Sequence, residues 1–290
     1  MGAVYDWRRG RWWDEMLTAA ELDVEKLADV LPSGSPVGEV RPAVARQLGL
    51  GPNVLVATGA NDQTANALGA GLLDESRFLI VMGTALVAFR VIAGHELRHA
   101  GPPCGMWSVY PVPGTSYHLG FTNSGCGTLD WAKGLFAPDV TYEALFEGVA
   151  AAPRGSGGVR ALIDLDGVAT PPNANYRGVL AGLARTSDRW SILRAVAEGV
   201  GFAIREMIGH LGWDPPAGGG VRLVGGGARS AVWAQMIADI LGRRLERLAH
   251  EQSGVTGSAM LAGVAAGVGA GYAEAAERTV RLADHLVPDD

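Results

Sequence analysis

Short apolar runs alternate with helical patterns along this chain, and this alternation constrains the fold more than any other feature. The longest helical pattern, residues 188–211, has one apolar face, and Ser187 or Asp188 can cap its start. Alternating strands and helices are typical of an α/β fold. The predicted strands are 54–57, 78–82, 85–91, 117–122, 160–164, 178–183 and 221–224. The predicted helices are 18–31, 62–73, 128–136, 142–152, 188–211, 230–241 and 254–270.

Composition excludes several classes of protein. The 290 residues include 30 acidic and 24 basic side chains, and the net charge of −6 without a basic run argues against a nucleic-acid partner. The two cysteines, Cys104 and Cys126, cannot form a disulfide framework or a zinc ribbon, which favours a reducing compartment. The most apolar stretch, 259–273, is too short and too glycine-rich to span a bilayer. We therefore expect a cytoplasmic protein with neither a nucleic-acid nor a membrane partner.

The turn at residues 58–63 is the first candidate site, because it joins a predicted buried strand to a predicted helix. Asp62 would lie at the positive end of the helix dipole, which favours an ionised carboxylate. Ligands of open α/β sheets bind at this end of the strands. A carboxylate placed there can accept a proton from a substrate hydroxyl or position a metal ion. On spacing alone, the simpler interpretation is that Asp62 only caps the helix.

Two glycine-containing turns are candidate anion sites. Gly83 and Thr84 separate two apolar runs, which predicts a β-hairpin with a type II′ turn whose backbone could approach a phosphate. Further along, the run Gly225, Gly226, Gly227 follows a strand and precedes a helix that starts at Ser230. Such a strand–glycine–helix corner can bind an anion or a nucleotide, although its spacing is neither the dinucleotide fingerprint nor a P-loop. Each turn could also be purely structural.

Residues 95–99 match the H-E-x-x-H motif of zinc hydrolases through His95, Glu96 and His99. Glycine and proline residues on both sides leave room for barely two helical turns. Arg98 would place a cation beside the metal, and no third ligand is marked by spacing. The pattern favours a solvated loop, and a zinc hydrolase is a distant alternative.

Taken in order, the first three motifs resemble the second half of the FGGY family of carbohydrate kinases. The matching segments are GANDQTANALGAG around Asp62, the Gly83–Thr84 hairpin and GGGARSAVWAQMIADILG from Gly225 onward. Residues 123–131, 175–183 and 254–259 add further matches. The resemblance spans about residues 5–288 and is xylulokinase-like.

The resemblance implies an actin-like, ribonuclease-H-like ATPase fold with one complete lobe and part of a second. Residues 1–71 would be the C-terminal part of the first, sugar-side lobe, and residues 72–290 the second, nucleotide-side lobe. The implied reaction is phosphorylation of a sugar or polyol hydroxyl with ATP and Mg²⁺. Asp62 matches the catalytic base, Asn61 and Gln63 would face the substrate, and no residue is assigned as a metal ligand. The implied nucleotide and phosphate contacts are Gly83, Thr84, Gly127, Gly225, Gly226, Gly227 and Ser230.

The chain departs from the family mainly in length, since family members are much longer. The Asp-x-Gly-Ser/Thr loop, which holds phosphate and metal in the first lobe, is absent. We therefore expect little or no turnover by the isolated chain, and a separately encoded N-terminal half or a homodimer as its partner beside the sugar. The alternative is a non-catalytic nucleotide-binding lobe or a truncated remnant. Residues 1–71 would then expose apolar side chains.

Overall fold

The computed structural model describes residues 4–94, 104–213, 219–250 and 252–289. The strands in these residues are β1 (Tyr5–Asp6), β2 (Arg11–Trp12), β3 (Pro36–Glu39), β4 (Leu55–Ala57), β5 (Phe78–Met82), β6 (Leu86–Ala93), β7 (Met106–Val109), β8 (Thr115–Thr122), β9 (Arg160–Leu162), β10 (Val168–Ala169), β11 (Pro172–Asn173), β12 (Val179–Ala181), β13 (Val221–Val224), β14 (Leu245–Leu248) and β15 (Leu282–Leu286). The helices are α1 (Asp14–Ala19), α2 (Pro42–Leu48), α3 (Asp62–Gly69), α4 (Cys126–Phe136), α5 (Tyr142–Ala151), α6 (Arg189–His210), α7 (Ala231–Leu241), α8 (Ser253–Ala265) and α9 (Tyr272–Thr279).

A seven-stranded mixed sheet, in the order β15-β14-β13-β5-β6-β8-β7, forms the centre of the molecule. Strand β13 pairs in parallel with both β5 and β14, and the other pairs in this sheet are antiparallel. Because β5 and β13 are parallel neighbours, their carboxyl ends lie at the same edge of the sheet. The loops that follow these two strands are therefore brought together.

Helices cover both faces of this sheet. The side chains of Phe78, Ile80 and Met82 on β5 share one apolar core with α4, α5, α6 and α7. The intervening Leu79 packs in a second core with residues of α3, α8 and α9. Successive side chains of a strand point to opposite faces, so β5 contributes to both cores. The predicted α/β fold is confirmed.

Helices α3 and α8 cross with their backbones in direct contact. A Cβ atom at Gly257 would lie 1.9 Å from the carbonyl oxygen of Ala65, and one at Gly69 would lie 1.8 Å from the carbonyl oxygen of Ser253. Only glycine permits such an approach. The Ser253 hydroxyl also donates to Oδ1 of Asn66 at 2.9 Å. This crossing holds the helix that begins at Asp62 against one face of the sheet.

The predicted helix at 18–31 is wrong. Helix α1 ends at Ala19, Glu21 has a positive φ of 53°, and only a short 3₁₀ turn, Val24–Lys26, follows. The apolar side chains that suggested helical spacing, Leu22 and Leu31 among them, are exposed. Isolated short helices are marginal without a packed apolar face, so the periodic pattern was insufficient here.

The strand at 54–57 exists as β4, but the prediction that it is buried is wrong. Strand β4 pairs with β3 in a two-stranded ribbon, and Leu55 and Val56 are 43% and 44% exposed. Val37 on β3 and Leu48 on α2 are exposed as well. The expected exposure of apolar side chains in residues 1–71 is therefore confirmed.

Most other predicted elements are present with ends shifted by a few residues, and β13 has the predicted bounds. The predicted cap of α6 is confirmed, because Oδ1 of Asp188 accepts from the Ser191 N–H at 2.8 Å. The division between residues 71 and 72 stays a prediction. None of the helices in the described residues combines the length and hydropathy that a membrane span requires.

Candidate active site

The hairpin between β5 and β6 has a three-residue loop rather than the predicted two-residue type II′ turn. Met82 pairs with Leu86, and Gly83, Thr84 and Ala85 lie between them. A type II′ turn needs a positive φ at its first central residue, and Gly83 does not have one. The Gly83 N–H instead donates to the Ala85 carbonyl at 3.1 Å, which leaves Thr84 exposed at the tip.

The start of α4 is attached to this loop by backbone hydrogen bonds. The Cys126 N–H donates to the Gly83 carbonyl at 2.9 Å, and the N–H groups of Gly125 and Gly127 donate to the Thr84 carbonyl at 3.1 and 3.3 Å. A Cβ at Gly127 would lie 3.0 Å from Cγ2 of Thr84. The glycines therefore allow α4 to approach the hairpin closely, and Gly127 supports Thr84 from behind.

The loop after β13 crosses the end of β5. Gly225 has a φ of 94°, and a Cβ there would lie 2.5 Å from the Met82 carbonyl oxygen. A Cβ at Gly227 would lie 2.7 Å from Sγ of Cys126. At Gly226, by contrast, a Cβ would meet no atom within 4 Å. Gly226 therefore faces open space while its neighbours pack tightly.

Helix α7 begins after this loop with a side-chain cap. The Ser230 hydroxyl accepts from the Trp233 N–H at 3.2 Å. This satisfies one of the N–H groups that a helix leaves unpaired in its first turn. Ser230 thus has a structural role in addition to its position beside the glycine loop.

A cavity of about 750 Å³ opens where the hairpin loop and the glycine loop meet. Five of the seven predicted nucleotide or phosphate residues line it: Gly83, Thr84, Gly226, Gly227 and Ser230. Gly127 and Gly225 do not line the cavity and instead pack against Thr84 and Met82. The size is in the range of small-ligand sites. We call this cavity the loop pocket.

The other residues of the loop pocket were not predicted as site residues. They are Met82, Cys126, Leu129, Asp130, Tyr142, Glu143, Phe146, Arg229 and Trp233. The Tyr142 hydroxyl donates to Oδ1 of Asp130 at 2.5 Å. This bond to a carboxylate, with some burial, raises the pKa of Tyr142 to about 12. The pocket wall therefore carries a carboxylate and a neutral phenol that are already paired with each other.

The three- and four-residue spacing of a helix could have identified part of the loop pocket wall from the sequence. Leu129 and Asp130 lie three and four positions after Cys126 on α4, so both are on its side of the helix, and Phe146 lies four positions after Tyr142 on α5. The motif at 123–131 pointed to α4, whereas nothing in the sequence of α5 marked it as part of a site. Cys126 is not a reactive thiol, because burial raises its pKa to about 12.

The Asp62 turn has a different cap from the one considered on spacing. Asn61 is the N-cap of α3, and its Oδ1 accepts from the Thr64 N–H at 2.8 Å. Asp62 is the first helical residue and is exposed. Its Oδ1 accepts from the Gln63 N–H at 2.8 Å and its Oδ2 from Gln63 Nε2 at 3.2 Å. The simpler interpretation, that Asp62 is only a cap, is therefore wrong, because Asn61 performs that role.

Tyr117 on β8 links this turn to the central sheet. Nδ2 of Asn61 donates to the Tyr117 hydroxyl at 3.3 Å, and the Tyr117 ring stacks on Phe89 at 5.0 Å between ring centroids. Burial raises the pKa of Tyr117, and the Asp62 carboxylate adds to that shift, so the phenol stays neutral. Tyr117 was not predicted as a site residue, since a strand tyrosine is usually a core residue.

The Asp62 turn and the loop pocket lie on different layers of the molecule. Helix α3 packs in the core with Leu79, whereas Met82, Leu129 and Trp233 around the pocket pack in the core on the opposite face. Asn61, Asp62 and Gln63 do not line the pocket. The structure brings five of the seven predicted nucleotide residues together around the loop pocket, and the predicted base, Asp62, does not line that pocket.

No group of three or more His, Cys, Asp or Glu side chains in the described parts of the chain could hold a metal ion. The predicted zinc motif, with His95, Glu96 and His99, lies outside the described residues. A divalent cation near the loop pocket would therefore need most of its ligands from a bound phosphate chain and water.

Family models match both parts of the chain. The C-terminal domain of the FGGY family of carbohydrate kinases matches residues 79–266, and the N-terminal domain of the same family matches residues 2–69. The chain is 31% identical over 281 residues to a xylulose kinase of Bacillus subtilis, covering 97% of this chain and 56% of that protein. It is 31% identical over 261 residues to a xylulose kinase of Escherichia coli, covering 88% and 52%.

Solved structures show the same fold. The chain is similar to a xyloylose kinase from Brucella ovis with a TM-score of 0.86 and 25% identity, over 99% of this chain and 58% of that one. Glycerol kinase from Plasmodium falciparum with ADP has a TM-score of 0.84 at 17% identity, over 99% and 57%. The chain thus spans about half the length of the relatives it matches. The predicted actin-like architecture is confirmed, and the chain belongs to the FGGY family of carbohydrate kinases.

Proposed function

We propose that this chain takes part in ATP-dependent phosphorylation of a sugar hydroxyl, with a ketose such as xylulose as the first candidate. The observation that carries the proposal is the meeting of the Gly83–Thr84 loop and the Gly225–Gly227 loop in one pocket of about 750 Å³. The choice of sugar is supported by the two relatives above, both of which are named xylulose kinases.

The loop pocket suits a nucleotide. A Cβ at Gly226 would meet no atom within 4 Å, so the backbone there is open to a ligand, and the exposed Thr84, which carries a hydroxyl, lines the same pocket. Phe146, which is half-buried, adds apolar surface on which a base could pack. ATP would supply the phosphoryl group, and Mg²⁺, held chiefly by its phosphates, would neutralise their charge.

Asp62 is suited to receive the proton of the sugar hydroxyl. Its carboxylate is held by two hydrogen bonds from Gln63, and it retains lone pairs that can accept from a substrate. As the hydroxyl oxygen bonds to the terminal phosphorus, the bond to the bridging oxygen breaks and ADP leaves with the electron pair. Asp62 then holds the released proton. Oε1 of Gln63 is buried without a hydrogen-bond partner, so Gln63 supports the substrate side by holding the Asp62 carboxylate.

The test is calorimetry and a coupled kinase assay on the full chain and on Asp62→Asn. We expect ADP with Mg²⁺ to bind both proteins equally, because Asp62 lies outside the loop pocket. We expect any turnover with D-xylulose to be lost in Asp62→Asn, since the amide cannot accept the proton. Measurable turnover at the same rate in both proteins would remove Asp62 as the base.

Binding of ADP without turnover by either protein would instead favour the non-catalytic nucleotide-binding lobe. A separately encoded N-terminal half and a homodimer stay predictions, and light scattering of the purified chain measures the second. A cytoplasmic location is part of the proposal and is supported by two free cysteines, Cys104 and Cys126.

A further inference from the structure

A second cavity, of about 730 Å³, lies between β9, α6 and α7, and we call it the α6 groove. Its floor is α6, which approaches both neighbours closely. A Cβ at Gly199 would lie 2.7 Å from the Ala161 carbonyl oxygen on β9, and one at Gly201 would lie 2.6 Å from Cδ1 of Ile240 on α7. The two walls are therefore held at short distance from the floor, and the groove is built by the fold.

Both carboxylates that line the α6 groove already have partners. Glu198 accepts from Nε of Arg194 at 2.8 Å, from the Ser156 hydroxyl at 2.8 Å and from the Gly155 N–H at 3.1 Å. Asp239 accepts from Nε2 of Gln235 at 2.8 Å and from the Asp289 N–H at 3.0 Å. Little acceptor capacity is left in the groove to bind a cation.

The arginines of the groove divide into two pairs. Arg194 donates hydrogen bonds to Glu198 and to the carbonyls of Val149 and Ala152. Arg154 forms ion pairs with Asp239 and Asp289. Arg160 on β9 and Arg205 on α6 also line the groove, and neither side chain has a hydrogen bond or an ion pair among the residues that the structure describes. Two arginines on different elements thus line the groove without an anionic partner.

Apolar side chains line the groove as well. Phe202 and Leu162 line the groove and are 53% and 63% exposed, and Met236 and Ile240 line it from α7. Phe202 lies three positions before Arg205 on α6, so the ring and the guanidinium share one face of the helix. A ligand that neutralises the arginines would therefore also meet an aromatic surface.

We propose that the α6 groove binds a small organic phosphate monoester with an apolar or aromatic body. A phosphate monoester carries nearly two negative charges at neutral pH, which matches two guanidinium groups, and arginine forks bind phosphate oxygens in pairs. Inorganic phosphate would meet the same charges but would leave Phe202 and Leu162 in water. This site is separate from the loop pocket and does not depend on the proposed kinase activity.

The test is isothermal titration of the full chain with phenyl phosphate, compared with inorganic phosphate. Phenyl phosphate should bind about tenfold more tightly, because burial of the ring adds apolar contact. The double variant Arg160→Gln/Arg205→Gln should weaken phenyl phosphate by about tenfold or more, since each charge-assisted hydrogen bond contributes at that scale. Phe202→Ala should weaken phenyl phosphate and leave inorganic phosphate unchanged.

Two variants serve as controls for position. Arg185→Gln removes an exposed arginine outside the groove and should leave phenyl phosphate binding intact. Gly226→Val alters the loop pocket and should also leave it intact, which separates the two cavities. Absence of phenyl phosphate binding, equal affinity for both phosphates, or full affinity in the double arginine variant would each overturn the proposal.

Discussion

Replacing Gly257 by alanine tests the contact between α3 and α8. The new methyl carbon would lie 1.9 Å from the Ala65 carbonyl oxygen and 2.9 Å from the Gly69 nitrogen. Both are backbone atoms, so no side chain can rotate away. Because ordinary contact begins near 3.4 Å, the two helices would have to separate by about 1.5 Å.

The expected cost follows from this separation. Overpacking of a close contact costs about 1–3 kcal/mol, and a contact between two backbones belongs at the upper end. Alanine in a helix interior recovers about 1 kcal/mol relative to glycine. We therefore expect Gly257→Ala to lower the free energy of unfolding by about 2 kcal/mol, a fall of roughly 4–8 °C in Tm.

Gly263→Ala is the matched control, because Gly263 lies in the last turn of the same helix and its Cβ would meet no atom within 4 Å. It gains the same helix propensity without the clash, so it should raise stability by up to about 1 kcal/mol. Thermal and urea unfolding followed by circular dichroism measure both variants. If Gly257→Ala is as stable as Gly263→Ala, the direct backbone contact between α3 and α8 is wrong.

Two further predictions concern the loop pocket. Gly226→Val should raise the Kd for ADP by about tenfold or more with little change in Tm, because the valine side chain would project into open pocket space. An unchanged Kd in calorimetry would remove Gly226 from the nucleotide site. Burial raises the pKa of Cys126 to about 12, so very little of this thiol is ionised at pH 8. Iodoacetamide, which reacts with the thiolate, should therefore modify Cys126 about a thousandfold more slowly than an ordinary thiol at that pH. Equal labelling of native and unfolded protein in peptide mapping would contradict this prediction. Because burial raises this pKa above the usual 9.0, the stability linked to the neutral thiol is complete below about pH 9 and is lost as the pH rises towards 12.

Elements whose structure depends on only a few neighbouring residues were predicted correctly from the sequence. The bounds of β13 and the cap at Asp188 depend on neighbouring side chains and backbone groups, and both are confirmed. The prediction failed for residues 18–31, where the periodic apolar pattern has no surface to pack against. It failed for the hairpin turn as well, because the carbonyls of Gly83 and Thr84 accept from the start of α4, a contact that the hairpin sequence does not reveal.

By itself, the sequence determined the α/β class, the glycine corners and the resemblance to the FGGY kinases, because strand and helix patterns, tight turns and short motifs are local properties. Only the tertiary structure decided that the loops after β5 and β13 share one pocket, since this depends on the parallel pairing of two strands far apart in the chain. It also placed Tyr142 beside Asp130 and opened the α6 groove between β9, α6 and α7. These arrangements arise from packing between elements that are distant in the chain, so they cannot be predicted from the residue pattern of a single segment.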